Sequence, residues 1–479
     1  MAILDGPRLT AALAAAAPLT LLAGGLFAPA SGSGRPGRWS GRAAIAALTA
    51  FCFALAAAGG IALFGGTRLD WAAAGLFHLG VLFNPLSAVT LVLMTFVIAA
   101  SALFARRHLA GDEAERRFAR WFCLTGGSWL CLVVSGNLAQ FILAWAATSA
   151  CLHWLLVLYP GRAGATLAAR KKLLTSFTGD LLLIAAMIVA WREFHTWDFE
   201  ELAVAAARMR DTAPAGAGRP EEIFSLLVAA GVMMKSAQFP FHTWLPDTLE
   251  TPAPVCALTQ AGVVNAGGLL LLRLHPLFAH SPAALWALAL GGAFTAVFAA
   301  VVMTTQASVR RALAFSTVAQ TGCIMLECGS GAFGLALLHI CAHALYKTRA
   351  LLDSGKIVRP VQAGPAGGSR TAGGRLAYLL LAGAAGLATA FVIFLLRPGF
   401  NRLAGAVSPG YGVEFALVAV PTTLFVIATV VRMWFPGRSG TPRFRAVYVH
   451  ARNGFYLNTL ANRLVTAVWP VKSVRERQT

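Results

Sequence analysis

The sequence predicts an all-α, polytopic membrane protein of about thirteen transmembrane helices, some of them broken, and three observations carry that prediction. Hydrophobic residues make up 58% of the 479 residues and charged residues only 12%, about half the ~25% charged share of a soluble domain. The apolar residues gather into runs of about 20, the length of helix that crosses a hydrocarbon core of about 30 Å. The basic excess, 39 Lys and Arg against 19 Asp and Glu for a net charge of +20, falls mostly in short loops between those runs. A positive-inside bias of the loops explains it, so no nucleic-acid partner is implied.

The runs lie near residues 9–29, 43–65, 84–105, 118–134, 137–159, 171–191, 224–247, 254–274, 283–304, 311–328, 332–353, 376–396 and 414–433. Asp5 and Arg8 precede an alanine-leucine run that continues to Pro29 without a clear cleavage site, so this run reads as a retained span rather than a signal peptide. Arg35, Arg38 and Arg42 follow the first span, and Arg106, Arg107, Arg116, Arg117 and Arg120 the third. Arg162 and Arg170 follow the fifth, Arg310 and Arg311 the ninth, and Lys356, Arg359, Arg370 and Arg375 the eleventh. These loops are assigned to the cytoplasmic side, which leaves the N-terminus outside and the C-terminus inside.

The loop 192–222 mixes Glu193, Asp198, Glu200, Glu201 and Asp211 with a few arginines, as an extracytoplasmic connection that is partly helical at the surface would. Residues 354–375 end in a glycine- and alanine-rich stretch without hydrophobic periodicity and read as a flexible cytoplasmic linker. The basic tail, 436–479, carries Leu457, Leu460, Leu464 and Val468 on one helical stripe, which lies in the membrane interface or docks on a partner. The eight cysteines form no CxxC pair and read as small core hydrophobes.

Residues 231–262, GVMMKSAQFPFHTWLPDTLETPAPVCALTQAG, hold the first candidate chemistry. Lys235 stands well inside an apolar run, about one turn before Pro240, and Pro246, Pro252 and Pro254 extend the interruption. A charge at that depth is costly, and Pro240 removes a backbone donor, so helix geometry fails beside the charge. A lysine near a helix end often only snorkels to the interface. The depth of Lys235 and the adjacent break point instead to an ion pathway, in which a desolvated lysine accepts and releases a proton.

The second constellation is LALLHICAHALYKTRALL, where His339, His343 and Lys347 recur every four residues and share one helical face. They form a polar stripe about 12 Å long. Two histidines at that spacing also suit zinc, but the stretch lacks the glutamate of HExxH and supplies no third ligand, so no metal site is assigned. Three aligned ionisable groups in one apolar helix read as a proton relay rather than as core packing. Other intramembrane polar groups are His153, Asp180, Gln260, Asn265, Thr317 and Gln320. Asp180 is expected to pair with Lys235, Lys171 or Lys172, because an unpaired carboxylate in that run is expensive. Asp247 and Glu250 read as caps of the broken helix or as groups that admit protons to it.

At KSAQFPFHTWLPD, TPAPVCAL and LLHICAHALYK the sequence resembles the proton-translocating antiporter-like subunits of respiratory complex I and the Mrp cation/proton antiporters. The resemblance covers more than half the chain. It implies two inverted five-helix repeats with broken helices, after N-terminal helices over 1–110: a first repeat over 111–275 and a second over 276–435. It also implies that Lys235 is the lysine of the first broken helix and that His339, His343 and Lys347 are the central relay. The departures are Ala146 of AWAATS where those subunits carry a glutamate, Gln260 where a histidine is usual, and Phe177 where arginine is common. Where the second broken helix should hold a central lysine, 376–396 offers only Gly383 and Gly386.

A narrower branch is more similar, the DabB-type membrane subunits of two-component inorganic carbon accumulation systems. The segments LHWLLVLYPGRAGATLAARKK, QAGVVNAGG and YVHARNGFYLNTLANRL carry that resemblance. It implies a partner of DabA type, a large cytoplasmic zinc subunit similar to a β-carbonic anhydrase. In this reading the membrane chain passes protons, or sodium ions, down their gradient to drive the partner's one-way conversion of carbon dioxide to bicarbonate. The chain itself then has no cofactor and performs no catalysis. Two alternatives stand beside it: a subunit of a complex I-like or Mrp-type Na+/H+ antiporter, and a non-conducting membrane anchor, which Ala146, Phe177 and the missing second lysine favour.

Overall fold

Helix ends are set largely by short-range chemistry. The computed structural model describes residues 5–28, 37–71, 79–159, 161–212, 220–354 and 448–469. Helices α1 (Gly6–Leu26) and α2 (Arg38–Phe64) pack as a pair with α4 (Glu115–Val134), and α3 (Pro85–His108) lies along α2. At the start of α3, Asn84 accepts from the backbone N–H of Ser87 at 2.9 Å and Pro85 follows directly. Arg106, Arg107 and His108 fill its last turn, where the helix dipole favours cations. α5 (Leu138–Leu156) opens on an equivalent cap, Asn137 accepting from the N–H of Gln140 at 2.7 Å.

The long α6 (Ala163–Phe194) is followed by a surface helix, α7 (Phe199–Thr212), and by α8 (Pro220–Lys235), which runs against α6. Between α8 and α9 (Ala253–Ala257) the chain forms only two 3-10 turns, Phe241–Trp244 and Pro246–Glu250. A π turn over Leu258–Gly262 and a short 3-10 turn then lead into α10 (Ala266–Phe278). Together Ala253–Phe278 form a span whose apolar stretch is fully buried, the centre of the described bundle. Around it stand α3, α12 (Val309–Gly329) and α13 (Phe333–Ser354), and α11 (Pro282–Thr304) covers α12. α11 and α12 approach closely through Gly292 and Gly322, since a Cβ on Gly322 would stand 2.7 Å from the backbone nitrogen of Ala296. The last described helix, α14 (Leu457–Val468), lies against α6.

The structure corrects the sequence reading in three places. Of the thirteen expected spans, those at 376–396 and 414–433 lie outside the described residues, as do most of the linker, Gly383 and Gly386. The other eleven are helical in whole or in part, but only seven of the described helices are long and apolar enough to cross a membrane. α8 is too short, at 16 residues, α4 carries charges at its loop end, and α12 and α13 carry polar groups that face inward. Second, the chain is not purely helical: Thr67–Trp71 (β1) pairs antiparallel with Leu79–Phe83 (β2), Thr67 opposite Phe83. Arg68 ties this hairpin to the start of α7 through ion pairs to Asp198 at 2.6 Å and Glu200 at 3.1 Å. The strands escaped notice because the apolar residues of β2 merge into the following span.

Third, the helix break falls earlier than Pro240. α8 ends at Lys235 itself, and Ala237 takes φ 54°, a left-handed conformation that cannot continue the helix. Proline disfavours helical geometry in the residue before it, so the chain has to leave the helix ahead of Phe239. Pro246 opens the second 3-10 turn, and Pro252 and Pro254 stand at the start of α9, where proline is tolerated.

Candidate ion pathway

Two glycines make the first element of the site possible. A Cβ on Gly179 of α6 would lie 2.6 Å from the Lys235 Cγ and 3.1 Å from the Gly231 carbonyl, so only glycine lets α6 and α8 approach this closely. Asp180 follows Gly179, and its carboxylate accepts a hydrogen bond from the ammonium of Lys235. The lysine is buried, and its Nζ also lies 4.5 Å from the ring centroid of Trp145 on α5. Position at the C-terminus of α8 places the cation where exposed carbonyls favour it. Of the three lysines open to Asp180 from sequence, the fold selects Lys235. Lys171 goes elsewhere, to the Asp247 carboxylate and to Asn458 Oδ1 at 2.6 Å, while the buried Nζ of Lys172 has no hydrogen-bond partner among the described residues.

α12 connects the broken helix with α13. Its polar residues recur at helical spacing and point to both sides. Gln238, just past the break, donates to Thr321 at 3.2 Å, and Thr317 donates to Gln260 in the π turn at 3.0 Å. On the other side His339 is held by two α12 side chains, Gln320 Oε1 at 2.6 Å from Nε2 and Glu327 Oε1 at 2.8 Å from Nδ1. His343 follows one turn along α13, buried, with neither ring nitrogen bonded among the described residues. Lys347, a further turn on and fully buried, donates to the Leu313 carbonyl at 2.9 Å. Ser236 Oγ, Gln238 Oε1 and Asn265 Oδ1 are likewise buried without a described partner, so unspent hydrogen-bonding capacity gathers along this axis.

The fold does not bring every candidate to the axis. His153 contacts the Ala169 carbonyl at 3.2 Å and stacks on Trp469 of the C-terminal segment, centroids 6.3 Å apart, so it belongs to the docking of that segment. Asp247 and Glu250 do not cap the broken helix. Asp247 is spent on Lys171, and Glu250 instead accepts from the N–H of Ala165 at 3.0 Å, capping α6.

Several buried charges escaped the sequence reading, Glu327 and Arg273 among them. Glu327 lay in LECG at the end of an apolar helix, twelve residues before His339, a signal present but passed over. Arg273 of α10 is buried and donates to Ser135 and to Ser87 Oγ at 3.0 Å, pinning α10 to the α4–α5 turn and to α3. Among the described residues no group of three or more His, Cys, Asp or Glu gathers as a metal cluster.

A helix interrupted at a buried, paired lysine and linked through α12 to a polar stripe on α13 marks the chain as a multi-pass membrane protein with ionisable groups inside its bundle. Residues 135–366 match the family described as NADH:quinone oxidoreductase/Mrp antiporter, transmembrane. The chain is 33% identical over 456 residues to the probable inorganic carbon transporter subunit DabB2 of Halothiobacillus neapolitanus, covering 83% of this chain and 82% of the relative. It is 35% identical over 276 residues to the probable inorganic carbon transporter subunit DabB of Hydrogenovibrio crunogenus, 57% of this chain and 52% of that one. It is also 32% identical over 299 residues to NAD(P)H-quinone oxidoreductase chain 5 of a Synechocystis species, 61% and 44% of the two chains. The match thus spans about half the length of these last two relatives.

Solved structures share the fold. A chain of the Mrp complex from a Dietzia species matches with TM-score 0.63 at 20% identity, covering 99% of this chain and 56% of that one. A chain of respiratory complex I from Thermus thermophilus matches with TM-score 0.65 at 20% identity, covering 95% and 99%. The chain belongs to the family of the DabB inorganic carbon transporter subunits, and its residues 135–366 resemble the NADH:quinone oxidoreductase/Mrp antiporter transmembrane family.

Proposed function

We propose that this chain conducts the coupling cation, a proton or a sodium ion, of an inorganic carbon uptake complex in a bacterial inner membrane. The observation that carries the reading is the buried Lys235–Asp180 pair at the end of a broken helix, with α12 joining that break to the His339, His343 and Lys347 stripe. The ion-linked proton enters at Asp180 and Lys235, crosses by Gln238 and α12, and passes along Gln320, His339, His343 and Lys347. Gln260 holds Thr317 at the crossing, and Glu327 completes the His339 end. The chemistry on carbon lies in a partner of DabA type, a large zinc subunit on the cytoplasmic side. The names of the relatives support carbon transport, and the two inverted repeats, 111–275 and 276–435, belong to the same reading, with thirteen spans, the N-terminus periplasmic and the C-terminus cytoplasmic.

Lys235→Ala tests this in cells that depend on the system. Growth at limiting carbon dioxide should be lost while the complex still co-purifies, because the substitution removes the proton-exchanging group and leaves the surface untouched. Undiminished growth with an intact complex contradicts the proposal. The quinone oxidoreductase relatives favour a second reading, a subunit of a respiratory or Mrp-type complex. It predicts several small hydrophobic partners on purification in place of one large zinc protein.

A further inference from the structure

Away from the pathway, α1, α2 and α4 enclose a cavity of about 240 Å3 at the end where the loop arginines cluster. Its walls are apolar, from Ala23, Gly24, Phe27, Ala43, Ala119 and Cys123, and its rim carries Trp39 and Arg42. Leu26 and Phe27 beside it are 65% and 84% exposed, as residues facing lipid are. The guanidinium carbons of Arg42, Arg116 and Arg38 converge on the Trp39 ring, 4.7, 5.4 and 5.7 Å from its centroid.

Contact with the ring offsets part of the repulsion among three cations, and none of the three forms an ion pair among the described residues. The adjacent carboxylate, Glu115, is committed to the start of α2, where it accepts from the backbone N–H groups of Gly37, Trp39 and Ser40. Two buried donors of this cluster, Trp39 Nε1 and Arg116 Nε, have no partner among the described residues. Buried donors left unpaired are costly, so these two call for an acceptor that the described residues do not supply.

We propose that this cavity binds an anionic phospholipid, its phosphate held by Arg42, Arg116 and the Trp39 indole N–H, and an acyl chain laid along the apolar wall. A free phosphate would satisfy the donors but leave that wall empty. A lipid fills both halves, and a basic pocket between helices at headgroup level is the setting in which anionic lipids are recognised.

Native mass spectrometry of the full-length chain, purified with whatever partner it retains, tests the proposal using dioleoylphosphatidylglycerol, dioleoylphosphatidylcholine and inorganic phosphate as probes. One phosphatidylglycerol should be retained per chain in preference to phosphatidylcholine, and inorganic phosphate should not displace it. In R42Q/R116Q the affinity should fall about thirtyfold, and R42K/R116K should keep most of it. Ala119→Leu, which fills the cavity without touching a charge, should also lose the lipid, and it decides the matter if R42Q/R116Q fails to fold. Equal retention of the two lipids, displacement by inorganic phosphate, or wild-type retention by folded R42Q/R116Q or by Ala119→Leu would each overturn the proposal.

Discussion

Lys235 and Glu327 are the two residues whose side chains make different demands on the fold. Lys235 sits between a carboxylate and an indole face, so its charge is compensated twice, and moving either partner leaves a buried cation. Glu327 has one oxygen on His339 and the other unbonded among the described residues, the arrangement of a group with capacity left to exchange a proton. Glu327→Gln keeps the shape and an acceptor for His339 but cannot ionise. Ion-driven carbon uptake should drop on the order of a hundredfold, the lower range for loss of a positioned proton-transfer group, while the protein still assembles. Uptake by Glu327→Gln equal to wild type would remove Glu327 from the route. Composition and spacing exposed Lys235, His339, His343 and Lys347 because charge stands out in apolar runs. The partner of Asp180 stayed open, since three lysines lie within reach in sequence and only the glycine contact between α6 and α8 decides among them.

At the scale of elements, helix boundaries follow caps, and one cap is supplied from a distance. Glu115 lies at the loop end of α4, ahead of the apolar span, and holds the start of α2. Burial works against its ionisation, but the hydrogen bonds from Ser40, Gly37 and Gly111 outweigh it and hold the carboxyl below the usual range. A depressed folded pKa means stability that is present above the ordinary carboxylate value of 4.5 and is lost as pH falls through the folded value. Glu115→Gln should therefore melt lower at neutral pH, by about 1 kcal/mol of stability, and the difference from wild type should shrink on acidification below about pH 4.5. Thermal melts of the detergent-solubilised protein across that range check it; a difference that grows on acidification contradicts it. Helix positions were readable from run length and flanking charge. The β1–β2 hairpin and the early start of the break, at Lys235 ahead of Pro240, were not, because strand pairing and the left-handed turn at Ala237 depend on neighbours that no local pattern announces.

For the whole molecule, the described bundle is built around one buried, interrupted span, Ala253–Phe278, with polar helices α12 and α13 packed on it and lipid-length helices outside. Hydropathy finds the outer helices readily. It undervalues α12 and α13, whose polar residues face the bundle interior, and so the same feature that lowers their apolarity locates the candidate pathway. The central claim is that ions cross the membrane through this chain by way of Lys235. The most direct measurement is ion flux into liposomes containing the purified complex, followed with pH- and sodium-sensitive dyes under an imposed gradient. Wild type should carry a flux of protons or sodium that Lys235→Ala abolishes with the complex intact, whereas equal flux through wild type and Lys235→Ala would contradict the account.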